Sequence, residues 1–218
     1  MTTLERLGAD DLRLVIATFR DALQAHKDGI NRLNVYPVPD GDTGSNMALT
    51  LASVAAELDG VDGDLAAVCK GIGHGALMGA RGNSGVILSQ ILRGLTQTLA
   101  SGPDELVDGA LLARALEVAA AGAYEAVGNP VEGTILTVIR VASEGAGAAA
   151  ATGAPLVEIL EQCVQLVETN GVGGRVGSAP FERGVDVFGG GRDDLGPIGR
   201  GGAGARQFAV QLSQVLQI

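Results

Sequence analysis

Asp40 and Asp42 stand two residues apart in the run Asn34-Val35-Tyr36-Pro37-Val38-Pro39-Asp40-Gly41-Asp42-Thr43-Gly44, where two prolines and two glycines favour an ordered, sharply bent loop. Two carboxylates on such a loop can point into one space and share a hard cation. Mg²⁺ takes oxygen ligands in near-octahedral geometry, commonly one or two carboxylates completed by substrate phosphates. Asn34, just upstream, can add a neutral oxygen or hold a metal-bound water. The plainer alternative is a turn at Asp40-Gly41 followed by Asp42 as the N-cap of a helix.

The continuation favours the first reading. Thr43, Gly44, Ser45 and Asn46 place hydroxyls, a carboxamide and a glycine at the start of a helix, where unpaired N–H groups and the positive end of the dipole attract phosphate. The design recurs at Asn83-Ser84-Gly85, inside Gly79-Ala80-Arg81-Gly82-Asn83-Ser84-Gly85, and again at Gly133-Thr134. Each alone reads as an ordinary N-cap; three in one helical chain make sense if they converge on one ligand. The chain carries no GxxxxGK[ST] loop and no protein-kinase catalytic set, so the usual nucleotide folds are excluded. Ser84 lacks GxSxG spacing and a histidine partner, which argues against a hydrolase nucleophile. His74 reads as a helix-surface or packing residue and His26 as part of a polar helix face. Arg81 is either a neighbour of a phosphate or metal site or half of a structural salt bridge.

The elements that must position these residues read as helices. Leu12, Val15, Ile16, Phe19, Leu23, Ile30 and Leu33 recur at mostly three- and four-residue steps, predicting an amphipathic helix from Asp10 to Leu33 with Asp10 or Asp11 as N-cap. Met47, Leu51, Val54 and Leu58 mark a second helix, and Asp64 to Leu77 a third. A fourth begins at Asn83-Ser84 and carries Ile87, Ile91, Leu95 and Leu99. Pro103 and Asp104 are expected to open a helix reaching about Val127. Thr134 lies in the first turn of one reaching about Ala149, and Pro155 to Glu168 forms another. Strand signals are nearly absent, so the fold class is all-α with seven or eight helices.

Near Asn170 the pattern changes. From Gly171 to Arg206 glycine dominates, Arg175, Arg183, Arg192, Arg200 and Arg206 are interspersed, and no helical period survives. The expected organisation is a helical domain over residues 1–170, then a Gly/Arg-rich irregular tail over 171–218 ending in a short amphipathic helix from Phe208 to Ile218.

Composition sets the outer limits. The 218 residues are 46% hydrophobic but only 3% aromatic, so the core is built from Ala, Leu, Val and Ile on closely packed helices. A net charge of −10 argues against a nucleic-acid partner. It does not argue against ATP, because metal ions reverse the local sign. Cys69 and Cys163, far apart and in apolar contexts, read as buried reduced thiols. Met1 to Asp10 is polar and no apolar run reaches the ~18 residues of a membrane span, so no membrane insertion and a cytoplasmic location are expected.

Asn34 to Met47 resembles the signature of the DhaL (DAK2) domain, in the form found at the N-terminus of bacterial fatty acid kinases. Ala76 to Gln90 and Pro130 to Thr137 fit the same family in order and spacing, and the resemblance covers about residues 8 to 170. It implies an antiparallel eight-helix barrel holding ATP or ADP at one end with two Mg²⁺ ions. Asp40 and Asp42 would then be metal ligands. Asn34 would stand near the third aspartate of the dihydroxyacetone kinase branch, the change to Asn favouring the fatty acid kinase branch. Thr43, Gly44, Ser45, Asn46, Asn83, Ser84 and Gly85 would bind phosphates, and Gly133 and Thr134 would line the nucleotide site. No residue would be a covalent nucleophile, since phosphoryl transfer needs mainly positioning and charge neutralisation. A separate protein, lipid-binding or triose-binding, would present the acceptor; a homodimer is compatible with the sequence. The alternatives are a dihydroxyacetone kinase-type subunit and a catalytically silent nucleotide-binding module. From Gly171 the chain departs from the family, whose Val-Asp-Ala-Gly-Gly-like closing segment is replaced by the Gly/Arg-rich stretch.

Overall fold

The structure is a computed structural model that describes residues 5–34, 39–102 and 105–170. These form seven helices: α1 (Ala9–Leu33), α2 (Thr43–Leu58), α3 (Leu65–Gly79), α4 (Gly82–Leu99), α5 (Gly109–Glu125), α6 (Ile135–Ala151) and α7 (Leu156–Asn170). The all-α expectation holds. The only extended pairing among the described residues is a bridge in which Leu7 and Val107 exchange backbone bonds of 2.9 and 2.8 Å. The tail over 171–218, with its expected terminal helix, lies outside the described residues, and among the described residues there are seven helices of the expected seven or eight.

Local chemistry explains most helix boundaries. Asp64 and Asp108 cap α3 and α5, their carboxylates accepting the N–H groups of Ala67 (2.9 Å) and Leu111 (2.8 Å). Thr134 caps α6 by accepting from Leu136 N–H at 3.2 Å. Two sequence expectations are corrected. α1 is capped at Gly8, with Asp11 inside the first turn accepting the Gly8 N–H at 2.8 Å, so neither Asp10 nor Asp11 is the cap. The fifth helix starts at Gly109 rather than at Pro103-Asp104, which lie outside the described residues. The Leu7–Val107 bridge holds Val107 extended, and the first usable cap after it is Asp108.

Each helix packs on the next in the chain, α1 on α2 through to α6 on α7, and α2 also packs on α4. Glycines mark the tight contacts and reveal direction. A methyl built on Gly79 would strike Ser53, on Gly75 the Val54 backbone, and on Gly71 the Leu58 side chain, so α3 runs antiparallel to α2. A methyl on Gly82 would strike Asn46, and on Gly85 Thr50, so α4 runs parallel to α2. Short connections continue the alternation. α2, α4 and α6 therefore all begin at one end, the end at which α1 finishes.

The core has a large-residue half and an alanine half. Ile16, Leu23, Met47, Leu51, Val54, Val68, Ile72, Leu88 and Leu92 join α1 to α4. Ala119, Ala120 and Ala123 of α5 meet Ile91, Leu136 and Ile139, and Ala142, Ala146 and Ala149 of α6 meet Ile159 and Cys163 of α7. Met47, Leu51, Val54 and Leu58 are all buried, as their spacing predicts. Among the described residues no helix is long and apolar enough to cross a membrane.

Candidate functional site

The shared end of α2, α4 and α6 carries the sequence candidates that are described. α1 terminates at Asn34, whose Nδ2 donates to Asp40 Oδ1 at 2.6 Å and so ties the carboxylate loop to the helix end. Gly41, at φ +65°, turns the chain between the two acids, a conformation favouring glycine. Asp40 is exposed and Asp42 half-buried; Val35 to Val38 lie outside the described residues. Asp42 occupies the N-cap position of α2, yet its side chain accepts no capping hydrogen bond, whereas Asp64 and Asp108 at equivalent positions do. The plain alternative, Asp42 as a helix cap, is thus not how the carboxylate is used.

Beyond Asp42 the helix starts are drawn together by backbone proximity. Gly44 is buried against α1, where a methyl would lie 2.3 Å from the Lys27 carbonyl oxygen. Ser84 Oγ donates to Thr43 Oγ1 at 3.3 Å, joining the first turns of α4 and α2. Gly82, at φ +56°, brings its backbone against the Asn46 carboxamide. Thr50, fully buried, donates to the Asn46 carbonyl at 2.8 Å and accepts the Arg81 N–H at 3.2 Å, fixing the turn into α4. Asn83 is exposed on that turn, and Gly85 packs against Thr50. At the third start, Ile135 packs both on the cluster containing Met47 and Leu88 and on the α4–α6 cluster, so Gly133 and Thr134 belong to the same flank.

Several roles differ from the simplest sequence reading. Ser45 is clasped by Asn31, whose Oδ1 accepts the Ser45 N–H at 3.1 Å while its Nδ2 donates to Ser45 Oγ at 2.9 Å. That N–H is therefore already satisfied within the protein. Sequence reasoning missed Asn31; the signal was a carboxamide in the last turn of α1, one turn before Asn34. The Arg81 guanidinium donates to the carbonyls of Met78 (3.4 Å) and Ala80 (3.0 Å), finishing α3 rather than forming a salt bridge. His74 pairs with Glu57 at 3.0 Å on the half-exposed α2–α3 surface.

A polar cluster beside Gly133 was also missed. Glu132 accepts from Tyr124 Oη (2.6 Å), Thr137 Oγ1 (2.7 Å) and Arg140 Nη2 (3.1 Å), and Arg140 also donates to Glu144 at 2.8 Å. Burial raises the Glu132 pKa, but the hydrogen bonds from Tyr124, Thr137 and Arg140 more than offset it and leave the carboxyl below its usual range. Tyr124 is pushed up to about 12 by burial and by its bond to Glu132. Its only sequence signal was that Glu132 falls inside Pro130 to Thr137.

Among the described residues no three His, Cys, Asp or Glu side chains gather as a metal cage. What is present is a pair of acids beside a carboxamide at a junction of helix starts, a donor set that suits Mg²⁺ when phosphate oxygens complete the shell.

The matching family fits this arrangement. A family model described as the DAK2 domain matches residues 37–171, from the carboxylate loop to the end of α7. Uncharacterized proteins of Staphylococcus aureus strains bovine RF122 and USA300 are each 42% identical over 143 residues, which is 65% of this chain and 26% of theirs. The chain thus matches only about a quarter of the length of these curated relatives. With the match running through all three helix starts, the chain belongs to the DAK2 domain family.

Proposed function

We propose that this domain binds an adenine nucleotide as its Mg²⁺ complex at the end where α2, α4 and α6 begin. It would pass the γ-phosphoryl group to an acceptor held by a separate protein, a carrier-bound fatty acid. The observation that carries the reading is Asp42: a carboxylate at a helix start, beside Asp40, that is not spent on capping. Membership of a family whose members include dihydroxyacetone kinase subunits supports nucleotide binding.

In this reading Asp40 and Asp42 hold Mg²⁺, one ion or two, with Asn34 orienting Asp40 or contributing its carboxamide oxygen. Bound metal would neutralise charge on the phosphates. The chain's own contribution is placement. Thr43, Asn46, Asn83 and Ser84 offer hydroxyls, carboxamides and helix-start N–H groups to the phosphates, while Gly85, whose N–H is taken by Arg81 O at 2.9 Å, serves by letting α4 lie close against Thr50. Gly44 lets α2 approach α1 closely enough to aim them, and Gly133 and Thr134 line the nucleotide from the third side. Ser45 acts mainly through the Asn31 clasp. A second reading is a dihydroxyacetone kinase-type subunit with a triose-binding partner, supported by the DAK2 match itself. The Asn34–Asp40 bond favours the first, because an ionised aspartate at position 34 would have no N–H to donate.

The test is thermal unfolding with ATP or ADP, with and without Mg²⁺, on the wild type, Asp40→Ala and Asp42→Asn. A ligand at about 100 times its Kd adds roughly 2.7 kcal/mol to stability. A Mg²⁺-dependent rise in Tm that both variants lose is the expected result. A wild type whose Tm ignores nucleotide under every condition sinks the reading.

A further inference from the structure

The α5–α6 loop holds a carboxylate whose bonds exceed what joining the two helices requires. Those helices are already fastened by Ala119, Ala120 and Ala123 against Leu136 and Ile139. The Glu132 side chain is 51% exposed, and exposed ion pairs contribute little to stability. Yet this one group accepts from Tyr124 on the last turn of α5 and from Thr137 and Arg140 on the first turns of α6. Thr137, buried, in turn accepts the Gly133 N–H at 2.7 Å, so the chain of bonds runs from Glu132 to the backbone of Gly133. Gly133 sits at φ +81° with nothing within 4 Å of where a Cβ would stand. Its N–H is held by the bond to Thr137, while the space where a Cβ would stand is open.

We propose that Glu132 is a positioning residue of the nucleotide site, holding Gly133 and Thr134 in the shape that receives the ligand. This rests on the nucleotide-binding reading above. Tyr124 and Arg140 fix the carboxylate, the carboxylate fixes the Thr137 hydroxyl, and the hydroxyl fixes the Gly133 amide. Thr134, whose Oγ1 donates to Val131 O at 2.8 Å, is carried with it.

The experiment measures Kd for Mg·ATP by calorimetry on the full chain, together with amide hydrogen exchange across residues 128–137. It compares wild type, Glu132→Gln, Tyr124→Phe and, as a purely destabilising control, Ile159→Val in the α6–α7 core. Glu132→Gln is expected to weaken binding about tenfold, the lower end of what supporting partners of a site are worth, and to speed exchange at Gly133. Tyr124→Phe, which removes one hydrogen bond, is expected to weaken it about threefold. Ile159→Val is expected to lower Tm and leave Kd unchanged. Wild-type affinity in Glu132→Gln, while wild type binds and Asp42→Asn does not, overturns the positioning role and leaves the nucleotide reading standing. A wild type that does not bind overturns both. If Glu132→Gln does not fold, unchanged Kd and exchange in Tyr124→Phe overturn the proposal.

Discussion

The α2/α4 junction and the α5–α6 loop stand at the same end of the helices but are built by opposite means. At the junction, and where α2 lies on α1, the fit leaves no room for a side chain: methyls on Gly82 and Gly85 would lie 2.3 and 2.4 Å from the Asn46 and Thr50 side chains, and one on Gly44 2.3 Å from the Lys27 carbonyl oxygen. In the loop, methyls on Gly128 and Gly133 would meet nothing within 4 Å, and shape depends on the hydrogen bonds of Glu132. Steric packing does not depend on salt or pH and tolerates no added volume. A half-exposed charged network tolerates volume but responds to both.

Substitution by alanine separates the two most sharply. Gly44→Ala drives a methyl into the Lys27 backbone, which cannot move without displacing α1, and is expected to cost about 3 kcal/mol or more. Gly133→Ala pays only for its left-handed backbone, about 1 kcal/mol. Gly128→Ala should fall within about 0.5 kcal/mol of wild type. Urea unfolding of the three measures the order; a Gly44→Ala cost no larger than that of Gly133→Ala breaks the contrast.

Three aspartates at helix starts sharpen the meaning of the junction. Asp64→Ala and Asp108→Ala each remove a carboxylate that caps its helix and should cost about 1 kcal/mol. Asp42→Ala removes one that caps nothing and should change stability by less than about 0.5 kcal/mol while abolishing any Mg²⁺-dependent nucleotide effect. An Asp42→Ala cost equal to the other two would return Asp42 to the role of a cap.

A further contrast is in alkali. Burial raises Cys69 and Cys163 from 9.0 to about 11, and burial with the Glu132 bond raises Tyr124 from 10.0 to about 12. A folded pKa above the unfolded one contributes stability that is complete below the unfolded value and lost as pH rises through the folded one. Stability is therefore expected to hold below pH 9 and fall between pH 9 and about 12. Tyr124→Phe should flatten only the upper part of that fall, from pH 10 upward. Equal slopes in both proteins, followed by urea midpoints against pH, would place the loss in the cysteine-containing core alone.

Much of this arrangement is legible in the sequence. Helix periodicity located α2, α3, α4, α6 and α7 to within a few residues, because their buried faces are apolar at every third or fourth position. The start of α5 was not legible: Pro103-Asp104 is a good opening signal, but Val107 is held extended by a bridge to Leu7, distant in sequence, and the helix begins only after the Asp108 cap. The cap of α1 was misplaced for a related reason, since Asp11 reaches back to Gly8 from inside the helix.

What the sequence determined by itself is the class of the fold and the grouping of two carboxylates on one short loop. Apolar spacing and short connections are local properties, and Asp40, Gly41 and Asp42 lie together whatever the rest of the chain does. Only the tertiary structure decided which of those groups remain uncommitted. Asn31 occupies the Ser45 amide, Arg81 finishes α3, Asp42 is left without a capping bond, and Glu132 gathers partners from two helices. Hydrogen bonds between residues distant in sequence depend on where helices cross. That is set by packing of whole faces and by the glycines that let backbones touch, and no local spacing encodes it.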